Sequence, residues 1–399
     1  MTTVHETLAR GETEVGAVGT ATALLDAYRP GAHRFFASPA RTLLAYGEHC
    51  QVPHDERPLT DRVRDTLAGA RAAGEPAPVV IGAIPFDGST PAALVVPSVL
   101  HRAPALRTDP LVAFPAPRPE PIAWTVRPVP APKSYGAAVA AAVDRIASGE
   151  FDKVVLARAL DLTAGQAPDI PAMLQRLARR DIHGYTFAVP TPAGGTLLGA
   201  SPELLVSRRG GALVANPLAG STPRSDDLAE DVRRAAALLE SVKDLHEHAV
   251  VVNAMRAVLA PYCSELQVPE RPSLVKTATM WHLSTTLKGT LADPSVSALE
   301  LACAVHPTPA VCGAPTAHAR RVIDELEPFD RGLYTGIVGW GDAEGDGEWV
   351  VTIRCAEATE QGLRLYAGAG VVASSDPAAE TAETGAKFRT FLDAVGAEL

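Results

Sequence analysis

Residues 134–163 read SYGAAVAAAVDRIASGEFDKVVLARALDLT, and their reading decides the fold. Apolar residues recur at helical spacing as far as the Ser148-Gly149 stop, and FDKVVLARALDLT then reads as a β-rich run. A helix therefore delivers the chain into a strand. That strand carries an oddity, because Lys153 opens a run of Val154, Val155 and Leu156 that is bound for the interior. An unpaired buried ammonium is expensive, so the lysine either reaches water from the strand's end or is kept inside for chemistry.

The same alternation continues toward the C-terminus. The spacing predicts a helix over 170–180, strands at YTFAVP, GTLLGA and LLVSRR, and one long helix from about 226 to 260. Strands near 273–288 and a helix near 316–326 follow, then the β-forming runs GLYTGIVGW, GEWVVTIRCAEA and GLRLYAGAGVVAS. Asp376-Pro377 reads as an N-cap with proline at the first helical position, opening a last helix to about 395. Toward the N-terminus, residues 1–113 hold short strand-like runs, one helix over 60–73 and no catalytic constellation. Residues 115–132 carry seven prolines and read as an extended connector, on a sheet edge or outside one.

With 399 residues, 47% of them hydrophobic and 21% charged, the chain can bury a large core as one big domain or two moderate ones. The formal net charge of −10 argues against sequence-independent binding to nucleic acid or to an anionic membrane. An anionic substrate would need a local positive pocket. Five cysteines without a C-x-x-C pair suggest reduced thiols, with neither a disulfide framework nor zinc. The opening MTTVHETLARGETEVG has acidic residues and no apolar stretch, so no export signal is expected. The longest apolar candidate, AVVVNAMRAVLA, carries Asn253 and Arg256 and falls short of the roughly 20 residues of a membrane helix. A soluble, cytoplasmic protein is expected.

Several groups could carry chemistry. Within the long helix, Glu240, Asp244 and Glu247 recur at spacings of four and three, which suits either a solvated face or a metal ligand. The last helix repeats the pattern with Glu380, Glu383 and Lys387, either as a salt bridge or as part of a site beside the glycine-rich YAGAGVV. Carboxylates from two distant helices, without a His or Cys cluster, would suit a hard cation such as Mg²⁺. Glu203, between Pro202 and an apolar run, would have a raised pKa if buried, as a general acid requires. Gly220 and Ser221 in PLAGSTPR could form an anion-binding nest, and Arg354 is a second cation in a β-forming run.

Taken together, FDKVVLAR, GASPELLV, PLAGSTPR, KDLHEH, TMWHLSTTLKG, HPTPAVCG, ELEPFDRGLYTGIVGW, GEWVVTIRCAEA, LYAGAGVV and ETGAK resemble the chorismate-utilising enzymes. Within that family the resemblance is to the isochorismate synthases of siderophore and menaquinone pathways. It covers most of residues 150–390 in order, and is loose over the first 130. It implies an α/β fold of the α+β kind, a single large domain with two stacked antiparallel sheets flanked by helices. Residues 1–132 would form its divergent N-terminal part, ending in the connector 115–132, and 133–397 the chorismate-binding catalytic region.

The resemblance also implies Mg²⁺ held by Glu247 and Glu383. Lys153 matches the general base that activates water, and Glu203 the acid that protonates the departing hydroxyl. Gly220, Ser221, Ala310, Arg354, Gly368 and Lys387 match positions that hold chorismate. A lysine takes a proton from water only when neutral, a state favoured by desolvation beside Val154 and Val155 and by nearby positive charge. Relatives that add ammonia typically lack this lysine, so water is the expected nucleophile and no glutaminase subunit is expected; a monomer suffices. Salicylate synthases, which go on to eliminate pyruvate, are the alternative. HPTPAVCG with Ala310 looks like the isochorismate-releasing branch, whereas Tyr334 is the residue that salicylate synthases carry. A non-catalytic relative would normally lack one of Lys153, Glu203, Glu247 and Glu383, and all four are present.

Overall fold

The computed structural model describes residues 17–119 and 122–397; the opening MTTVHETLARGETEVG and Glu120-Pro121 of the connector lie outside the described residues. The strand Lys153–Thr163 pairs antiparallel along almost its whole length with Gly362–Val371, from Val154↔Val371 to Thr163↔Gly362. Both of its faces are covered. Val154 and Leu156 pack against the helices Pro132–Ala147 and Thr316–Leu326, whereas Ala157 and Ala159 pack between sheets. This explains why the segment reads as a continuous apolar run and not as an alternating one. Thr125–Val129, from the proline-rich stretch, lies at the edge of this sheet beside residues 159–163, where Pro128 takes no ladder bond from a further strand.

Two large antiparallel sheets result. The ten-stranded one runs from Gly313–Ala314 through Lys153–Thr163, Gly362–Val371, Cys355–Thr359, Thr196–Ser201 and Tyr185–Pro190 to His33–Ala37, Arg41–Tyr46 and Val99–Pro104. The nine-stranded one joins Leu204–Arg209, Gly347–Val351 and Ile337–Asp342 to Val79–Ile84 and its neighbours. Strands from the first 104 residues thus complete both sheets, as in Phe36↔Phe187 and Ile84↔Ile337.

Phe36, Phe187 and Ala159 of one sheet meet Ile81, Val338 and Val350 of the other in an apolar interlayer. Each fully buried large side chain there contributes about 1.5–3 kcal/mol. Helices Thr20–Asp26, Ile170–Arg180 and Pro377–Val395 cover the outer face of the first sheet. Helices Leu59–Ala72, Val242–Leu259 and Ala298–Val305 cover that of the second. This is the stacked α/β/β/α arrangement expected from the sequence. The last helix starts as read: the Asp376 carboxylate accepts the Ala379 N–H at 2.8 Å, and Pro377 follows the cap.

Two expectations need correction. The long helix over 226–260 is two helices, Leu228–Glu240 and Val242–Leu259, because Ser241 is extended (ψ 111°) and its side chain accepts the Asp244 N–H as an N-cap. Glu240 therefore ends the first helix, exposed, and does not share a stripe with Asp244 and Glu247. Likewise GEWVVTIRCAEA is not one strand. It breaks into Gly347–Val351 in one sheet and Cys355–Thr359 in the other, with Arg354 at the crossing in a left-handed conformation (φ 49°). No helix among the described residues is long and apolar enough to cross a membrane.

Candidate active site

The chain passes from sheet to sheet twice near one end of the sandwich, at Pro202-Glu203 and at Thr352–Arg354. The regular ladders end there, the Glu203 carbonyl accepting the Val351 N–H at 3.1 Å and the Arg354 carbonyl the Ala200 N–H at 3.0 Å, and both residues line the cavity that opens at the crossings. Of the residues that the family resemblance assigns to the site, all but Lys153 line this cavity: Glu203, Gly220, Ser221, Glu247, Ala310, Arg354, Gly368, Glu383 and Lys387; the spaced acids Glu240, Asp244 and Glu380 do not. Lys153 lies beneath it with no exposed surface, its Nζ 3.0 Å from Glu247 Oε1. The ammonium is therefore kept inside, and does not reach water from the strand's end.

Glu203 is 2% exposed. Burial pushes its carboxyl up to about 7, against the pull of the Leu218 N–H at 3.5 Å and of the Arg354 and Lys153 charges. It can thus hold a proton near neutrality. Arg354 offers the opposite character. Burial draws its pKa down, but a guanidinium stays charged, and it pairs with no carboxylate among the described residues.

The carboxylates form a second wall. Glu383 Oε1 accepts from Ser221 Oγ at 2.9 Å and lies 2.5 Å from Lys387 Nζ, which also donates to the Gly368 carbonyl at 2.9 Å. Burial alone would raise Glu383, but Lys387, Ser221 and Lys243 hold it below the usual carboxylate range. Glu380, one turn earlier and buried, pairs with Lys243 at 2.5 Å. Gly220 has φ +78°, and a Cβ there would lie 3.0 Å from Asp244 Cβ, so glycine is required where the strand Leu218–Pro223 shifts register. The Ser221 hydroxyl is turned to Glu383, so any nest for an anion is left to the backbone N–H groups.

Three contributors were not legible beforehand. His282 is buried with Nε2 unpartnered among the described residues, and burial, then Arg354 and Lys387, drive its pKa far down, so it is a neutral imidazole in the wall. A lone histidine in TMWHLS gave no signal of this. Tyr366 stacks on Tyr334 with centroids 4.8 Å apart and planes 8° from parallel. Gly370 matters by what it omits: a Cβ would sit 2.1 Å from Glu247 Oε1 and 3.1 Å from Lys153 Cε. The glycine-rich strand suggested close approach of a ligand, and in the structure the Glu247–Lys153 pair itself makes that approach.

Glu247 and Glu383 supply hard oxygen donors to one cavity, and no group of three His, Cys, Asp or Glu side chains converges among the described residues. Two carboxylates plus water and substrate oxygens are the donor set that Mg²⁺ commonly takes, and the lysines against both carboxylates mark where positive charge is stabilised. The residues fit a divalent cation.

Residues 103–396 match the family described as chorismate binding enzyme. Isochorismate synthase DhbC of Bacillus subtilis is 52% identical over 386 residues, covering 94% of this chain and 96% of that protein. The vibriobactin-specific isochorismate synthase of Vibrio cholerae is 42% identical over 369 residues, 92% of each. The crystal structure of DhbC from Bacillus anthracis superposes with a TM-score of 0.89 at 49% identity, covering 95% of this chain and all of that one.

Proposed function

Since this chain belongs to the chorismate-binding enzyme family, we propose that it is an isochorismate synthase, an isomerase that adds water at C2 of the chorismate ring with loss of the C4 hydroxyl. The observation that carries this reading is a fully buried Lys153 just beneath a cavity lined by a buried Glu203, whose carboxyl burial raises to about 7, and by Arg354, which pairs with no carboxylate among the described residues. The identity to relatives named as isochorismate synthases supports the same reaction.

Chorismate carries two carboxylates. Arg354 and Lys387 supply fixed positive charge for them, and the backbone of Gly220, Ser221, Ala310 and Gly368 shapes the cavity around the ring. Mg²⁺ held by Glu247 and Glu383 would, when bound, neutralise the ring carboxylate and favour electron flow toward it. Lys153 Nζ takes a proton from water, whose oxygen bonds to C2. Glu203 gives its proton to the C4 hydroxyl, which departs as water while the ring double bonds shift. Atoms and charge balance, because the proton gained by Lys153 equals the one lost by Glu203.

The product would supply siderophore or menaquinone biosynthesis, and the relatives' names favour the siderophore side. A second reading, salicylate synthase, rests on Tyr334, which lines the cavity beside Gly368. Incubating the protein with chorismate and Mg²⁺ and resolving the products tests both. Isochorismate without pyruvate is expected; equimolar salicylate and pyruvate would establish the second reading, and unchanged chorismate would refute both.

A further inference from the structure

The strand that carries Lys153 has a gap along one edge. Gly313–Ala314 pairs with Val154 and Lys153, the Cys312 carbonyl accepts the Val155 N–H at 2.7 Å, and Thr125–Val129 pairs with residues 159–163, but among the described residues no strand serves the Val155 carbonyl or the Ala157 N–H. Side chains fill the gap. Glu327 Oε1 accepts the Ala157 N–H at 2.7 Å, and Arg331 NH2 donates to the Val155 carbonyl at 2.7 Å. The two side chains are each 2% exposed and joined twice, by Nε to Oε2 at 2.9 Å and NH2 to Oε1 at 2.5 Å. The remaining reach of Arg331 goes to the opposite wall: NH1 donates to the Val311 carbonyl at 2.7 Å and to Thr335 Oγ1 at 3.3 Å.

Val155, Val311 and Thr335 all line the cavity, whereas Glu327 and Arg331 do not. We propose that this buried pair is a positioning clamp that stands in for a strand segment and fixes the spacing between Lys153 and the Ala310-Val311 loop across the substrate. A surface ion pair could not do this, because five rigid guanidinium donors in one plane are needed to hold three segments at once. Glu327 locks the plane of that fork, and the Phe86 ring, 4.8 Å from the guanidinium carbon, closes it from the side. The functional half of the inference rests on the isochorismate synthase reading; the structural half does not.

The test compares the wild type with Arg331→Lys, Arg331→Met and Glu327→Gln, and with Glu325→Gln, which removes a surface partner of Arg145 on the neighbouring helix as a control. Amide exchange is followed with and without chorismate turnover. In the clamp variants exchange at 153–157 and 306–313 should quicken by about tenfold or more while 159–163, still paired by Thr125–Val129, stays protected. In the folded fraction kcat should fall by roughly tenfold to a hundredfold for Arg331→Met and Glu327→Gln, with partial recovery in Arg331→Lys. If Arg331→Met does not fold, Arg331→Lys alone decides the matter by the same two readouts. Exchange that quickens uniformly over both sheets, or a folded-fraction kcat equal to that of the control, overturns the clamp. A wild type that leaves chorismate untouched overturns the isochorismate synthase reading instead, and localised exchange in the variants would still support the clamp.

Discussion

Lys153 Nζ lies 3.0 Å from Glu247 Oε1, in ion contact but without the alignment of a hydrogen bond, and none of the lysine reaches solvent. A buried pair of this kind costs more to break than to remove. Glu247→Leu should therefore destabilise the protein by about 3–5 kcal/mol, whereas Lys153→Met combined with Glu247→Leu should recover most of that loss. Urea unfolding of Lys153→Met, Glu247→Leu and the double variant gives the coupling, and additive losses would contradict the pairing.

Glu203 should leave its signature in two pH profiles. Its carboxyl, ordinarily near 4.5, is raised by burial to about 7 in the folded protein. Between those values the native state holds a proton that the unfolded state has lost, so stability falls as pH rises from about 4.5 to about 7 and then levels off. The size is bounded at roughly 3 kcal/mol by the shift. Glu203→Gln should abolish that slope and be more stable at pH 8 by about 1–3 kcal/mol, while losing turnover and keeping chorismate binding. In the wild type kcat/KM should drop above about pH 7, as the acid loses its proton. Loss of binding alone in Glu203→Gln would count against an acid role.

Gly370→Ala probes the place of Glu247 at the proposed cation site. The new methyl would meet the end of the Glu247 side chain, which can swing away, and not backbone. Because a displaced Glu247 leaves the buried Lys153 unpaired, stability should fall by about 3–5 kcal/mol as in the Glu247 variant, and in the folded fraction Mg²⁺ affinity measured by calorimetry should weaken by roughly tenfold or more. Unchanged affinity would remove Glu247 from the proposed cation site.

Much of this was legible in advance because strong local patterns agreed with the final packing. The Asp376-Pro377 start, the helices at Ile170–Arg180 and Thr316–Leu326 and the strand from Lys153 all follow from capping, periodicity and apolar runs. The failures fall where tertiary geometry overrides a run of good propensity. Ser241 interrupts an otherwise helical text because its hydroxyl caps the next helix, and Arg354 interrupts a β-forming text because the chain must cross between sheets. The same holds for the site. Glu247 and Glu383 were visible as spaced acids, but His282, Tyr366, Gly370 and the Glu327–Arg331 pair acquire meaning only from partners distant in sequence. The Ser297–Glu300 capping box, by contrast, was readable in the sequence and marks the helix Ala298–Val305, which its short length concealed.

The most direct test of the central claim follows the oxygen. With chorismate and Mg²⁺ in H₂¹⁸O, the wild type should form isochorismate whose C2 hydroxyl carries the solvent label, and Lys153→Ala should form none at a detectable rate although it still binds chorismate. A product that retains the substrate's own C4 oxygen, or labelled turnover undiminished in Lys153→Ala, would contradict the assignment of the buried lysine as the base.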